Sequence, residues 1–308
     1  MENNTKYLQP EHISTLANLE LKAKLVVEGF IAGLHKSPYH GFSVEFAEHR
    51  QYMPGDEIRH IDWKVYGKTG RYYVKQYEEE TNLKSYLLLD TSKSMFFQKD
   101  GIQKFEYASY LAASIAFLMI KQRDAVGLTL FDSKINKFLP PKSVKSYLRL
   151  LLTEISNVKS EESKTSLSSV FHEIAEKIKR RGLIVIFTDL FQNQEVESLE
   201  EKINQVISGL KHFRHKRHEV LVFHIFDPAE INFSFTKDAI FKDVETGDEI
   251  STQPWHIQKE YRQLIQDFTE KYKKMCRLNN IDYIPISTSE PFSTALTEYL
   301  KKRVTLGG

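Results

Sequence analysis

Asp90, Ser92 and Ser94 form a D-x-S-x-S run directly after the apolar stretch Tyr86 to Leu89. Their side chains supply one carboxylate and two hydroxyls, oxygen donors only. A hard cation such as Mg²⁺, or Mn²⁺ in its place, takes about six oxygens in octahedral array and sheds water reluctantly, which suits hydroxyl ligands with retained waters. Two more oxygen-bearing residues can converge on the same point: Thr165, ahead of a helix expected from Leu167, and Asp189, after the apolar run Leu183 to Phe187. In this reading Ser92, Ser94 and Thr165 bind the ion directly, while Asp90 and Asp189 hold its waters and orient the hydroxyls. Three neutral hydroxyls leave the ion poorly neutralised, so a carboxylate arriving from outside is a favourable last ligand. That is the chemistry of an adhesion site. It is poor for hydrolysis, because no His, Lys or further carboxylate sits in the motif as a general base.

The motif alone arises by chance in on the order of one chain in ten, so its weight comes from its setting. Ligand sites in open α/β sheets lie beyond the carboxyl ends of strands, and Asp90 follows a strand. From residue 82 onward short apolar runs alternate with amphipathic segments, which predicts a doubly wound, mainly parallel α/β sheet. Strands are expected at Tyr86–Leu89, Val126–Phe131, Leu183–Phe187, Val220–Phe226 and Ile281–Ile286, with Ile135–Leu139 pairing back beside the second and Pro140-Pro141 closing that hairpin. Helices are expected at Phe105–Lys121, Val144–Ile155, Leu167–Arg180, Val196–Phe213, from Pro254 to about Leu278, and at Pro291–Arg303. Glu245-Thr246-Gly247-Asp248 reads as the turn of a β-hairpin insertion over about 239–252. Residues 1–81, with a helical pattern from Ile13 to Phe30 and then frequent glycines, read as an N-terminal extension packed on the main domain at 82–308.

Across 308 residues, 43 Lys and Arg stand against 41 Asp and Glu, and the formal charge of +2 provides no field that would draw in nucleic acid or an acidic membrane. The single cysteine, Cys276, excludes an internal disulfide and a cysteine-built zinc cage. The eleven histidines form no H-E-x-x-H, and no G-x-x-x-x-G-K-[ST] loop is present. Met1 to Pro10 lacks the basic start and apolar run of a secretory signal, and Leu111 to Ile120 is about half the length of a membrane span. A cytoplasmic protein without a transmembrane segment is the expectation.

A strand ending in D-x-S-x-S, a later loop threonine and a strand-end aspartate resemble the metal site of von Willebrand factor A-like domains, and the βα order over residues 82 to 303 is similar to that fold. Gly33, His35, Ser37-Pro38, Gly41, Glu45-Phe46, Arg50, Tyr52, Pro54-Gly55-Asp56, Arg59 and Ile61-Asp62-Trp63 resemble the signature of the bacterial domain-of-unknown-function 58 family. The resemblance implies a cytoplasmic or membrane-tethered A-like protein, commonly encoded beside a MoxR-type AAA+ ATPase, and hence a protein partner of that kind or its client. In A-like domains glycine often precedes the loop threonine. Here Lys164 does, and Ser163 and Ser166 are rival ligands to Thr165.

Plainer alternatives stand beside these. Asp90, Ser92 and Ser94 suit a helix N-cap. Asp90 as nucleophile would make a Mg²⁺-dependent phosphohydrolase, although Ser92 occupies the place where such enzymes commonly carry a second carboxylate. Lys211, Arg214, Lys216 and Arg217 would serve a basic nucleic-acid binder, or simply a solvated helix end. Asp56, Arg59 and Asp62 follow at three-residue spacing as an ion-pair ladder or a partner-facing surface, and Trp63 beside them favours burial.

Overall fold

The computed structural model describes residues 9–15, 18–34, 49–53, 61, 63–75, 84–159, 167–191, 198–233, 235, 239–242 and 249–307. Ahead of the main sheet come α1 (Pro10–Ser14), α2 (Leu19–Leu34), β1 (His49–Gln51), α3 (Trp63–Thr69) and β2 (Tyr73–Lys75). The sheet is built from β3 (Lys84–Asp90), α4 (Lys104–Lys121), β4 (Ala125–Phe131), β5 (Ile135–Lys142), α5 (Lys145–Ser156), α6 (Leu167–Lys177), β6 (Leu183–Thr188), α7 (Leu199–His215) and β7 (Glu219–Phe226). Then follow α8 (Pro228–Asn232), β8 (Ala239–Lys242), β9 (Glu249–Thr252), α9 (Pro254–Leu278), β10 (Asp282–Ser287) and α10 (Phe292–Gly307).

Six strands line up in the order β10-β7-β6-β3-β4-β5. All pair in parallel except β5, which returns antiparallel to β4. The inner strands are continuous apolar runs because both faces are covered. Leu87 and Leu89 of β3 enter the layer formed with α4, α5 and α10, whereas Tyr86 and Leu88 enter the layer formed with α6, α7 and α9. Alternation within one strand thus serves two cores, which is what doubly wound means in packing terms. Ile13, Ala23, Val26, Val27 and Phe30 of the N-terminal helices belong to the α4 layer. This second cover explains why α4 is buried almost all round.

The structure departs from the sequence reading at several points, among them the helical pattern Ile13–Phe30, which is divided between α1 and α2. Pro140 and Pro141 lie inside β5 and do not close its hairpin, which an edge strand tolerates because its outer side needs no ladder hydrogen bond. The helix α6 stops at Lys177 and not at Arg180. A short helix not anticipated, α8, begins with a capping box in which Asp227 and Glu230 satisfy each other's backbone N–H groups. Trp63 is 57% exposed, and none of the described side chains of α3 is buried. Its ring lies edge-on to Tyr66, which stacks on Tyr72, so the aromatic surface is shared among neighbours at the exterior. Asp56, Arg59 and Asp62 lie outside the described residues. The hairpin insertion pairs β8 with β9 from Ala239 opposite Thr252 to Lys242 opposite Glu249, while its turn at 243–248 lies outside the described residues.

Candidate metal centre

The chain leaves β3 toward β4 on one side and comes back to β6 on the other, so the strand order reverses at β3. The crevice beyond the carboxyl ends of β3 and β6 is the topological switch point, where open α/β sheets bind their ligands. Asp90 ends β3, Thr188 ends β6, and Asp189 follows it. Asp90 Oδ1 accepts the Ser92 backbone N–H at 2.9 Å, and its Oδ2 accepts the Thr188 hydroxyl at 2.6 Å. The Ser92 and Ser94 hydroxyl oxygens are 3.1 Å apart. Ser92 leads in extended conformation into a 3-10 turn, Lys93–Phe96, and its side chain makes no capping bond. The long helix α4 starts only at Lys104, behind Gln103. The serine hydroxyls are therefore not engaged as helix caps.

Asp90 is fully buried. Burial first, and the Asp189 carboxylate second, push its pKa up to about 7, against the opposing hydrogen bonds from Thr188 and Ser92. Among the described residues its neighbours are hydroxyls, a backbone N–H and another carboxylate, with no cationic partner. A buried carboxylate without a countercharge, beside two hydroxyls, fits a small hard cation by charge and by donor type. Among the described residues no three His, Cys, Asp or Glu side chains gather as a ligand set, and the donors they offer a metal beside Asp90 are the serine hydroxyls.

Asp189 is differently engaged from the expectation that it orients a metal-bound water. Its Oδ2 receives the Lys104 ammonium at 2.8 Å, and its Oδ1 accepts the Phe191 N–H at 3.2 Å. Lys104 also donates to Glu230 Oε1 at 2.7 Å. Burial alone would lower the Lys104 pKa, but the two carboxylates hold it above the ordinary lysine value. The Asp189 carbonyl accepts His224 Nε2–H at 2.7 Å, which leaves His224 Nδ1 to accept the Tyr283 hydroxyl at 2.5 Å. Burial drives that imidazole down to about 3, so it is neutral. Leu190, next in sequence, holds φ at 55° and donates its N–H to the Thr188 hydroxyl at 3.0 Å. A left-handed leucine costs roughly 1–2 kcal/mol, strain of the kind that gathers at ligand sites.

The structure brings Asp90, Ser92, Ser94 and Asp189 to the same end of the sheet. Thr165, with Ser163, Lys164 and Ser166, lies outside the described residues. Lys104, Glu230, Asp227 and His224 were not anticipated. Sequence signals do point to three of them: a lysine opening an apolar helix, against the helix dipole, for Lys104, and the D-P-A-E capping box at 227–230 for Asp227 and Glu230. In the basic run, Arg214 pairs with Glu219 at 2.6 Å and Lys216 with Glu176 at 2.7 Å, which engages two of its four cations in ion pairs.

An uncharacterised protein of Mycobacterium bovis is 25% identical over 242 residues, covering 77% of this chain and 72% of the relative. Among solved structures, the conserved hypothetical protein BatB from Bacteroides thetaiotaomicron matches with a TM-score of 0.49 and 17% identity, over 72% of this chain and 99% of that one. The VWA domain of SpRpn10 matches with a TM-score of 0.39 and 14% identity, over 70% of this chain and 94% of that one. The family model described as "Protein of unknown function DUF58" matches residues 48–274, well over half of the chain. The chain belongs to the DUF58 family of proteins of unknown function.

Proposed function

We propose that this protein is a Mg²⁺-dependent protein-binding module, with Mn²⁺ as an alternative ion, which captures a carboxylate of a partner protein through an ion held by Ser92, Ser94 and Thr165 and oriented by Asp90. The observation that carries this reading is Asp90: a fully buried carboxylate at the switch point, without a cationic partner among the described residues, beside paired serine hydroxyls. When bound, the ion supplies a Lewis-acidic open position for a partner's Asp or Glu. The chain's own residues fix its place: Thr188 and the Ser92 N–H hold Asp90 in one rotamer, and Asp90 in turn orients the Ser92–Ser94 turn. The reading is one of recognition without turnover. The proposed partner is a MoxR-type AAA+ ATPase or its client, with this protein as adaptor or co-chaperone. The proposed compartment is the cytoplasm, which suits a chain whose one cysteine is buried and free. Among the described residues no helix is long and apolar enough to cross a membrane.

Titration of the full chain with Mn²⁺, followed by electron paramagnetic resonance of the free ion, tests the site. One ion per chain is expected, and its binding is lost in Asp90→Ala and weakened at least about tenfold in Ser94→Ala, as loss of a direct ligand requires. Unchanged titration curves in both variants would sink the reading. Co-purification with a MoxR-type ATPase that survives Mg²⁺ but not chelator, and disappears in Ser94→Ala, tests the partner.

A further inference from the structure

We propose that Lys104 is a built-in rival of the divalent cation, a tethered ammonium whose sharing between Asp189 and Glu230 sets how tightly the switch-point site holds its metal. The proposal rests on the metal reading above and adds to it a residue that controls affinity without touching the ion.

Lys104 is fully buried, at the first position of α4. That place is unfavourable twice over: an ammonium is costly to desolvate, and a cation at a helix N-terminus opposes the helix dipole. What holds it there is the pair of carboxylates, Asp189 at 2.8 Å and Glu230 at 2.7 Å. Glu230 is fixed from behind, because its Oε2 accepts the Asp227 N–H at 2.8 Å in the capping box of α8. Asp227 Oδ2 accepts the backbone N–H groups of Lys99 and Asp100 at 2.9 and 3.3 Å, which ties α8 to the loop that runs from the serine turn into α4. The ammonium is thereby set between the end of β6 and α8, with little freedom to withdraw.

The consequence is electrostatic. Of the two carboxylates at the ends of β3 and β6, Asp189 is neutralised by Lys104 and only Asp90 is left to balance an incoming dication. Glu230 counteracts this by drawing the ammonium partly away from Asp189. Removing the lysine charge makes the site more negative and tightens the metal. Removing the Glu230 charge leaves the ammonium wholly on Asp189 and loosens it. A purely structural role would loosen the metal in both cases, so the opposite signs are the distinguishing readout.

The experiment is a Mn²⁺ titration of the full chain in low salt with wild type, Lys104→Met and Glu230→Gln, with circular dichroism recorded for each. The dissociation constant is expected to fall at least about tenfold in Lys104→Met and to rise at least about tenfold in Glu230→Gln. Should Lys104→Met fail to fold, Lys104→Gln takes its place, and weaker or unchanged binding in a folded lysine variant overturns the proposal, because a purely structural role loosens the metal in both variants. Wild-type binding with no shift in Glu230→Gln, or with a shift toward tighter binding, overturns the role of Lys104 and leaves the metal site standing. Absence of Mn²⁺ binding in wild type overturns the metal site itself, and this inference with it.

Discussion

Replacing Asp90 by Asn is expected to raise the stability of the metal-free protein at pH 8 and to abolish the proposed binding of divalent ions. The buried carboxylate has a pKa pushed up to about 7 from an ordinary 3.8, chiefly by burial. Between those two values the native state keeps its proton while the unfolded chain gives its proton up, so stability falls as pH rises through that window and stays reduced above it. A shift of that size corresponds to on the order of 4 kcal/mol at pH 8 for a fully buried group. Asparagine keeps the shape, removes the charge, and can still accept the Ser92 N–H while Thr188 turns to accept from the amide. Denaturant unfolding in chelator is therefore expected to show Asp90→Asn more stable than wild type at pH 8 and close to it near pH 4. In wild type, Mg²⁺ should stabilise more at pH 8 than at pH 5, because the ion then meets an ionised carboxylate. A variant less stable than wild type at both pH values would mean that the Asp90 charge is already compensated within the protein.

Phe171→Ala is expected to cost about 3–5 kcal/mol, the usual range for removing a buried phenylalanine. Phe171 is fully buried in α6 and meets Phe131 of β4 and Phe213 of α7 at ring centroid distances of 5.6 and 6.1 Å. Little can move in to fill the space, since α6 and α7 already approach so closely that a Cβ on Gly209 would lie 2.9 Å from Phe171 Cβ. Urea unfolding gives the stability change, and a loss below about 1 kcal/mol would show that the α6 layer repacks.

The centre of the sheet is legible in the sequence because its inner strands are buried on both faces and their apolar runs are bounded by turn residues, as at Leu183–Thr188 before Asp189. The start and finish of α9, Pro254 and Leu278, follow from proline at the first turn and the end of the amphipathic pattern. The edge strand β5 extends past the sequence expectation because proline normally argues against a strand, and whether a strand is at an edge is a property of the whole sheet. The exposure of Trp63 is hidden from the sequence for a related reason: composition signals burial only on average, and α3 presents its aromatic rings to one another at the surface. At the site, Asp90, Ser92 and Ser94 stand within five residues of chain and declare themselves by spacing. Lys104 meets Asp189 and Glu230 across separations of 85 and 126 residues, and only the folded sheet brings such partners together. The proposed ion ligands are thus local in sequence, whereas the charge balance proposed to set the affinity is tertiary.

The central claim is that the ion sits on the serine hydroxyls beside Asp90. Anomalous diffraction from crystals of the Mn²⁺-bound protein tests it most directly. The account predicts a single strong peak about 2.1–2.2 Å from Ser92 Oγ and Ser94 Oγ, with Thr165 as a further ligand and Asp90 reached through water. A peak held instead by Asp189 and Glu230 with Lys104 displaced, or no peak at the carboxyl ends of β3 and β6, would contradict it.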